Sequence, residues 1–392
     1  MTQLTAACAV ADGLARQHLR DDAPASDVVQ TARDLAGLHA TGAPNPYLQL
    51  FTRMPGFTRP ALDHELYERR SLARVHCMRG TLFLLPLDLL PIAWAATREL
   101  VLGPSTKYLT AQGVTPRSYE RWASLVDTVL AGRALSAAQI RAELGAGHAV
   151  ALTAVLNHMC DEGQLLRDRP VAGWRDAHST YRRLAEALPQ VKLDRYEPAQ
   201  AVAMLIERYI ARYGPVTLDD IAWWTGLGVR RCRGALQELG TQITPVHLLD
   251  WDDEHWVLRA DLDRIMDATR ARRTQVSLLA ALDPYTMGFR RRARLLNPDR
   301  QDFVYDRSGN ATSVVLVDGR IAGVWDVLTP NNEMGFFPFT TLNSRVADRI
   351  RVELARIGSF IAGTTVEVRQ VGQMTPLTDR RAGWVLKPLH DR

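Results

Sequence analysis

The segment Leu35-Ala-Gly-Leu-His-Ala-Thr-Gly-Ala-Pro-Asn-Pro-Tyr-Leu-Gln-Leu-Phe-Thr-Arg-Met54 sets an imidazole, His39, and a hydroxyl, Thr41, one residue apart where an apolar helix gives way to a loop. A neutral imidazole accepts a hydrogen bond from water and then its proton, with a reference pKa near 6.5. A threonine hydroxyl beside it accepts or donates, and so can fix the same water's second contact. A pair of this kind suits hydrolysis, with His39 as general base or water anchor and Thr41 as orienter. General-base action is typically worth about 10²–10⁴ in rate. The same spacing also fits a histidine that caps a helix end and a threonine that satisfies a turn.

Further along comes Arg74-Val-His-Cys-Met-Arg-Gly-Thr-Leu-Phe83. Arg79 follows an apolar, strand-like run, with Thr81 two residues on. The arginine either clamps a phosphate or lies buried against Glu65 or Glu68, and Arg53 has the same two fates. In Arg290-Arg-Arg-Ala-Arg294 the charges follow Tyr285 and Phe289. Arg290, Arg291 and Arg292 are therefore candidate contacts to a polyanion, the alternative being a solvated charge run. Four widely spaced cysteines (Cys8, Cys77, Cys160, Cys232) include no C-x-x-C pair, and buried free thiols are expected. The net charge of +5 is mostly an arginine effect. It fits a nucleic-acid partner, because guanidinium forks bind phosphate in bidentate fashion.

At 392 residues the chain is too long for one core, and two to four domains are expected. An apolar share of 46% with 23% charged residues is that of a soluble globular protein. The longest apolar stretch, Thr81 to Ala95, is interrupted by Pro86, Asp88 and Pro91, so no membrane span is expected. The start lacks a secretory signal, which makes a cytoplasmic protein the expectation.

The elements that must carry these residues repeat one order. Ser136-Ala-Ala-Gln139 is a capping box opening a helix to Leu144, Gly145 to Gly147 makes a turn, and Ala149 to Glu162 is a second helix. Gly163 closes it, and Gln164 to Arg167 reads as a strand. Arg167, Arg169 and Trp174 then fall on a wing that can reach a groove. The tryptophan serves either as a wedge between bases or as core. In a second copy, Thr217-Leu-Asp-Asp220 starts a helix bearing Trp223 and Trp224, both read as core. Gly226 to Gly228 makes its turn, and Val229 to Leu239 ends at Gly240. Helix, turn, helix and strand is the winged helix-turn-helix order. A fainter copy comprises Pro60 to Glu68 with strands Leu72–Val75 and Thr81–Leu85. After about Gln275 the pattern becomes β-rich, with a hairpin around Asp318-Gly319, a helix from Arg345 to Ile361 and a strand from Thr364 to Val371. The expected class is α+β, mainly α. The domains are expected at 1–120, 121–195, 196–270 and 271–392.

Together, Ala15-Arg-Gln-His18, the Leu35–Met54 block and Met78-Arg-Gly-Thr81 resemble the N-terminal lobe of the AlkZ/YcaQ-like DNA glycosylases. Tyr213-Gly-Pro-Val-Thr217 with Trp223-Trp-Thr-Gly226 is similar to a later winged helix of that family. Leu282-Asp-Pro-Tyr-Thr-Met-Gly288 and Asp318-Gly-Arg-Ile-Ala-Gly-Val-Trp325 are similar to its C-terminal β part. The resemblance runs from about residue 10 to residue 330, in the family's order. It implies a C-shaped array of winged-helix units and a β domain around double-stranded DNA. It also implies a monofunctional glycosylase that uses no metal or redox cofactor and releases guanine alkylated at N7. Bulky adducts, interstrand crosslinks and self-resistance to genotoxic natural products fall within that range. A monomer is expected, since one chain already supplies several DNA-binding units.

The family motif reads Gln-x-Gln or Gln-x-Asp where this chain has His39-Ala40-Thr41, and Phe83 stands where many relatives have histidine. An N7-alkylated guanine is cationic and leaves as a neutral base, so a positioned water is enough, which is how glutamine serves in relatives. Alignment alone can lower a barrier by roughly 7–11 kcal/mol in ideal cases. Two other readings are a winged-helix regulator without enzymatic activity and a resistance protein that sequesters a genotoxin or its adduct. An open channel is expected rather than a tight base-flipping pocket, since a crosslinked base is hard to extrude.

Overall fold

The computed structural model describes residues 2–145, 149–249, 251–271, 273–328 and 333–379. Among them the fold is α+β with helix dominant and four small sheets. No helix is long and apolar enough to cross a membrane.

The chain opens with β1 (Thr2–Leu4) and α1 (Ala6–Arg16), whose N-cap Thr5 accepts from the Cys8 amide at 3.2 Å. α2 (Val28–Asp34) is capped in the same way by Asp27, which satisfies an amide that the helix itself cannot. Then come β2 (Leu38–His39), α3 (Asn45–Arg53), α4 (Arg59–Asp63) running into a π-turn (His64–Glu68), β3 (Leu72–His76), β4 (Leu82–Pro86) and the long α5 (Leu90–Ala111). The strands form an antiparallel sheet in the order β2-β4-β3. The faint first winged-helix pattern is thus a real helix and hairpin, with one strand added.

The second unit holds α6 (Pro116–Leu130), β5 (Leu135–Ser136), α7 (Ala137–Leu144), α8 (Ala149–Asp161), β6 (Leu165–Pro170), β7 (Ser179–Arg183) and α9 (Leu184–Ala187). The capping box predicted at Ser136 and Gln139 makes both of its hydrogen bonds, at 3.3 and 2.8 Å. Of the glycine turn expected after Leu144, Gly145 is the helix C-cap, while Ala146 and Gly147 lie outside the described residues.

The third unit consists of α10 (Pro198–Tyr213), α11 (Leu218–Thr225), α12 (Val229–Leu239), β8 (Ile243–Leu248), β9 (Trp251–Leu258) and α13 (Leu262–Met266). Thr217 and Asp220 cap α11 reciprocally. β1 joins this sheet, lying parallel to β8 with Thr2 opposite Val246.

The β-rich end has β10 (Val276–Leu279), α14 (Pro284–Met287), α15 (Gln301–Val304), β11 (Val314–Val317), β12 (Arg320–Leu328), β13 (Glu333–Pro338), α16 (Ser344–Ala362) and β14 (Val368–Gln370). Its five strands lie in sequence order. Asp318 and Gly319 both adopt positive φ, 48° and 83°, the turn that matches strand twist in a tight hairpin. The strand expected over Thr364–Val371 shrinks to Val368–Gln370, paired parallel to β13.

The sheet β2-β4-β3 is packed on both faces, and ladder partners share a face. Leu38, Leu72 and Leu84 face α2, α3 and the following turn. Ala73, Val75, Phe83 and Leu85 face a large core that continues through α5, α10, α12 and the C-terminal sheet. This alternation decides where His39 points.

Candidate active site

The α2 helix ends at Leu35, and Ala36 and Gly37 carry positive φ that swings the chain into β2. Gly37, at φ +108°, tolerates no side chain, since a Cβ there would stand 2.7 Å from Leu85 Cδ2. The turn delivers His39 opposite Phe83, on the side of the large core, with ring centroids 4.9 Å apart. The peptide of His39 is pinned from α3 by Gln49 Nε2, which donates to its carbonyl at 3.1 Å. Around this loop Asn45 Nδ2 and Gln49 Oε1 are buried with no partner among the described residues.

The imidazole is 3% exposed. The Thr41 amide donates to Nδ1 at 3.5 Å, so Nδ1 is the acceptor and the ring proton sits on Nε2. Nε2 lies 3.4 Å from Thr81 Oγ1, which passes its own proton to the Met78 carbonyl at 3.0 Å. Both ring contacts are long and therefore weak. Burial, with Arg79 adding like-charge repulsion, pushes the His39 pKa down to about 3. The side chain is a neutral hydrogen-bonding group at physiological pH.

The expected pair is thereby divided. The strand β2 stops at His39, so Thr41 does not share its face, and it meets the ring through its backbone rather than its hydroxyl. Thr81 supplies the hydroxyl at the imidazole. Thr41 is exposed and lines a cleft of about 660 Å³ between the first lobe and the second winged helix.

Arg79 sits in the Met78–Gly80 turn at φ +56°, a conformation that non-glycine residues rarely take. It makes no pair with Glu65 or Glu68. Its guanidinium stacks 3.8 Å over Trp223 and donates to Asn310 Oδ1 at 3.3 Å. Burial, then the charge of Arg292, lowers its pKa to about 10, so it stays cationic. Arg290 is exposed and hovers over the same indole at 5.5 Å. Arg291 pairs with Asp253 while half exposed. Arg167 lines the Thr41 cleft and donates to Asn157 Oδ1 at 2.9 Å.

Three expected DNA contacts are corrected. Arg53 is wholly buried: its fork grips Asp283 at 2.7 and 2.8 Å, and it also donates to the Gln17 and Gln49 carbonyls. Arg292 is 6% exposed and spends its nitrogens on the carbonyls of Thr286, Phe289 and Gly309. Trp174 folds back from its wing, edge-on to Tyr47 and Phe360 with Arg59 over its ring, so it bridges modules rather than wedging bases.

Trp223 was expected in the core and is instead the platform for Arg79, Arg290 and Arg292. The signal was present: adjacent helix residues point in different directions, and its neighbour Trp224 takes the core position. Arg74 was not predicted at all. It alternates with Val75 on β3, opposite Leu84, in a ladder whose other members are apolar apart from His76.

A sequence profile of AlkZ-like DNA glycosylases matches residues 32–360. The interstrand DNA cross-link repair glycosylase of Streptomyces sahachiroi is 27% identical over 374 residues, covering 91% of this chain and 96% of that protein. The solved structure of Streptomyces sahachiroi DNA glycosylase AlkZ shares the fold, with a TM-score of 0.76 at 22% identity over 95% of this chain and 100% of that one. Since the profile spans the His39 loop, the Arg79 turn and most of the β-rich end, the chain belongs to the AlkZ-like DNA glycosylase family and is an enzyme acting on the N-glycosyl bonds of DNA.

Proposed function

We propose that this glycosylase releases guanines alkylated at N7, bulky and crosslinked ones included, by water attack at C1′. The observation that carries the reading is the buried His39 imidazole, 3% exposed between Phe83 and Thr81, whose pKa burial pushes down to about 3. So weak a base removes little of a proton from water, and general-base assistance falls with basicity. The bond must therefore break largely of its own accord, as it does when the leaving base already bears a positive charge. What the protein supplies is alignment and electrostatic shaping. His39 and Thr81 hold the water, and the long His39–Thr41 contact is easily exchanged for one to that water. Thr41 contributes its backbone amide at Nδ1 rather than its hydroxyl.

Arg79 and Arg290 on the Trp223 platform, with Arg291 and Arg167, are the cations placed to receive backbone phosphates. The crosslink-repair activity for which the relative is named supports the bulky end of the substrate range, and so does a Thr41 that opens to a cleft rather than a closed pocket. Double-stranded DNA carrying such adducts is the partner in this reading, and the role is repair or self-resistance to a genotoxin. Incubating the protein with duplex bearing N7-alkylguanine, or a crosslink through N7, tests it. Free modified base plus an alkali-labile abasic site is the expected result. Tight binding with no released base would instead fit a regulator or a sequestering protein.

A further inference from the structure

The cleft beside Thr41 has a composition that the hydrolytic step does not explain. Arg74 from β3, Arg141 from α7 and Arg167 from β6 line it, with His76, Asn157, Ser179 and Tyr181, and no carboxylate among the described residues does. The acids nearby are committed to other partners. Asp161 holds His76 at 2.6 Å, and Asp168 binds Arg70 at 2.7 Å and Arg182 at 3.2 Å. Among the described residues neither Arg74 nor Arg167 forms an ion pair. Among the described residues Arg74 Nε is buried without a partner, and the hydrogen bond that the side chain makes to them is a long one, 3.4 Å, from Nη1 to Ser179 Oγ. Two guanidiniums that repel each other in a half-enclosed space are unfavourable unless an anion sits between them.

We infer that Arg74 and Arg167 form a two-pronged phosphate site that grips a backbone phosphodiester of the damaged strand, holding the neighbouring sugar against Thr41. The inference rests on the glycosylase reading for its substrate, but it concerns binding rather than bond cleavage. Planar forks from two modules, one on the first lobe and one on the second winged helix, receive a tetrahedral anion from two sides. The phosphate would tie those modules together across the cleft.

The test uses the full chain with Arg74→Gln, Arg167→Gln and the double variant, titrated onto undamaged and damaged duplex at several salt concentrations. Each single variant should weaken binding at low salt, and the double variant, which releases the one gripped phosphate, should weaken it about tenfold and cut the slope of log K against log salt by about 1, equally on both duplexes. Melting of the free protein should not fall in Arg74→Gln, because the change relieves a repulsion. If Arg74→Gln does melt early, Arg167→Gln, whose side chain is less enclosed, carries the test. Inorganic phosphate should raise the melting temperature of the wild type and not that of the double variant.

Unchanged slope and affinity in the variants would overturn the site. Protection by inorganic phosphate with duplex binding unaltered would also overturn it, since the site would then take a free anion and not DNA. A wild type that releases no base, yet loses slope on substitution, would sink the glycosylase reading while leaving the phosphate site standing.

Discussion

An imidazole with a pKa near 3 and a carboxamide are chemically closer than histidine and glutamine usually are. Neither ionises at physiological pH, and both offer one acceptor and one donor to a water. Two predictions belong at this scale. Because the folded-state pKa lies below the working range, His39 keeps one protonation state from pH 5.5 to 8. Single-turnover base release should accordingly be flat over that interval, as measured in buffers of constant ionic strength. His39→Gln should keep release within about tenfold of wild type, since it preserves the water anchor, whereas a catalytic base would lose about 10²–10⁴. The sequence sets His39 and Thr41 together as a pair, and the structure puts the Thr81 hydroxyl, not that of Thr41, at the imidazole. A spacing of two residues puts side chains on one face only while a strand lasts, and β2 ends at His39, so Thr81, brought in by the neighbouring hairpin, takes the place expected of Thr41.

The Met78–Gly80 turn is the element that shapes the candidate site, since it holds Arg79 against Trp223 and Thr81 against His39. Its strained backbone is seated on Gly226, where a Cβ would lie 2.8 Å from Arg79 Cα. Gly226 also has φ +77°, so Gly226→Ala suffers both a clash and an unfavourable conformation. Chemical denaturation should show a loss of about 1–3 kcal/mol, accompanied by weaker DNA binding as Arg79 is displaced. Local signals disclosed most such elements. Ser136/Gln139 and Thr217/Asp220 fixed two helix starts, and Asp318-Gly319 fixed the hairpin, because each depends on contacts within a few residues. Contacts between distant segments were not legible. Nothing within the sequence around Arg53 points to Asp283, and nothing around Trp174 points to Phe360.

On the scale of the whole molecule, the first lobe, third winged helix and β-rich end share one continuous core, while the second winged helix has its own around Val126, Ile140, Val155 and Met159. Amides of α6 and α8 should therefore exchange at a lower opening free energy than those of α10 and β12, as read by native-state hydrogen exchange. The Arg53–Asp283 pair fastens the first lobe to the β-rich end with both side chains at 0% exposure. Arg53→Met strands a buried carboxylate and should cost about 3–5 kcal/mol in denaturant unfolding. Arg290→Gln, at a proposed phosphate contact, should leave stability within about 0.5 kcal/mol and act only on DNA affinity.

Single-turnover release of modified base from N7-alkylguanine duplex by His39→Ala, set against wild type at equal fold stability, bears most directly on the proposal that a water held at a buried neutral imidazole cleaves the bond of a cationic base. Loss of the water anchor should slow release by about 10²-fold, with DNA affinity unchanged. Release within about threefold of wild type, well short of what a positioning group contributes, would contradict the account.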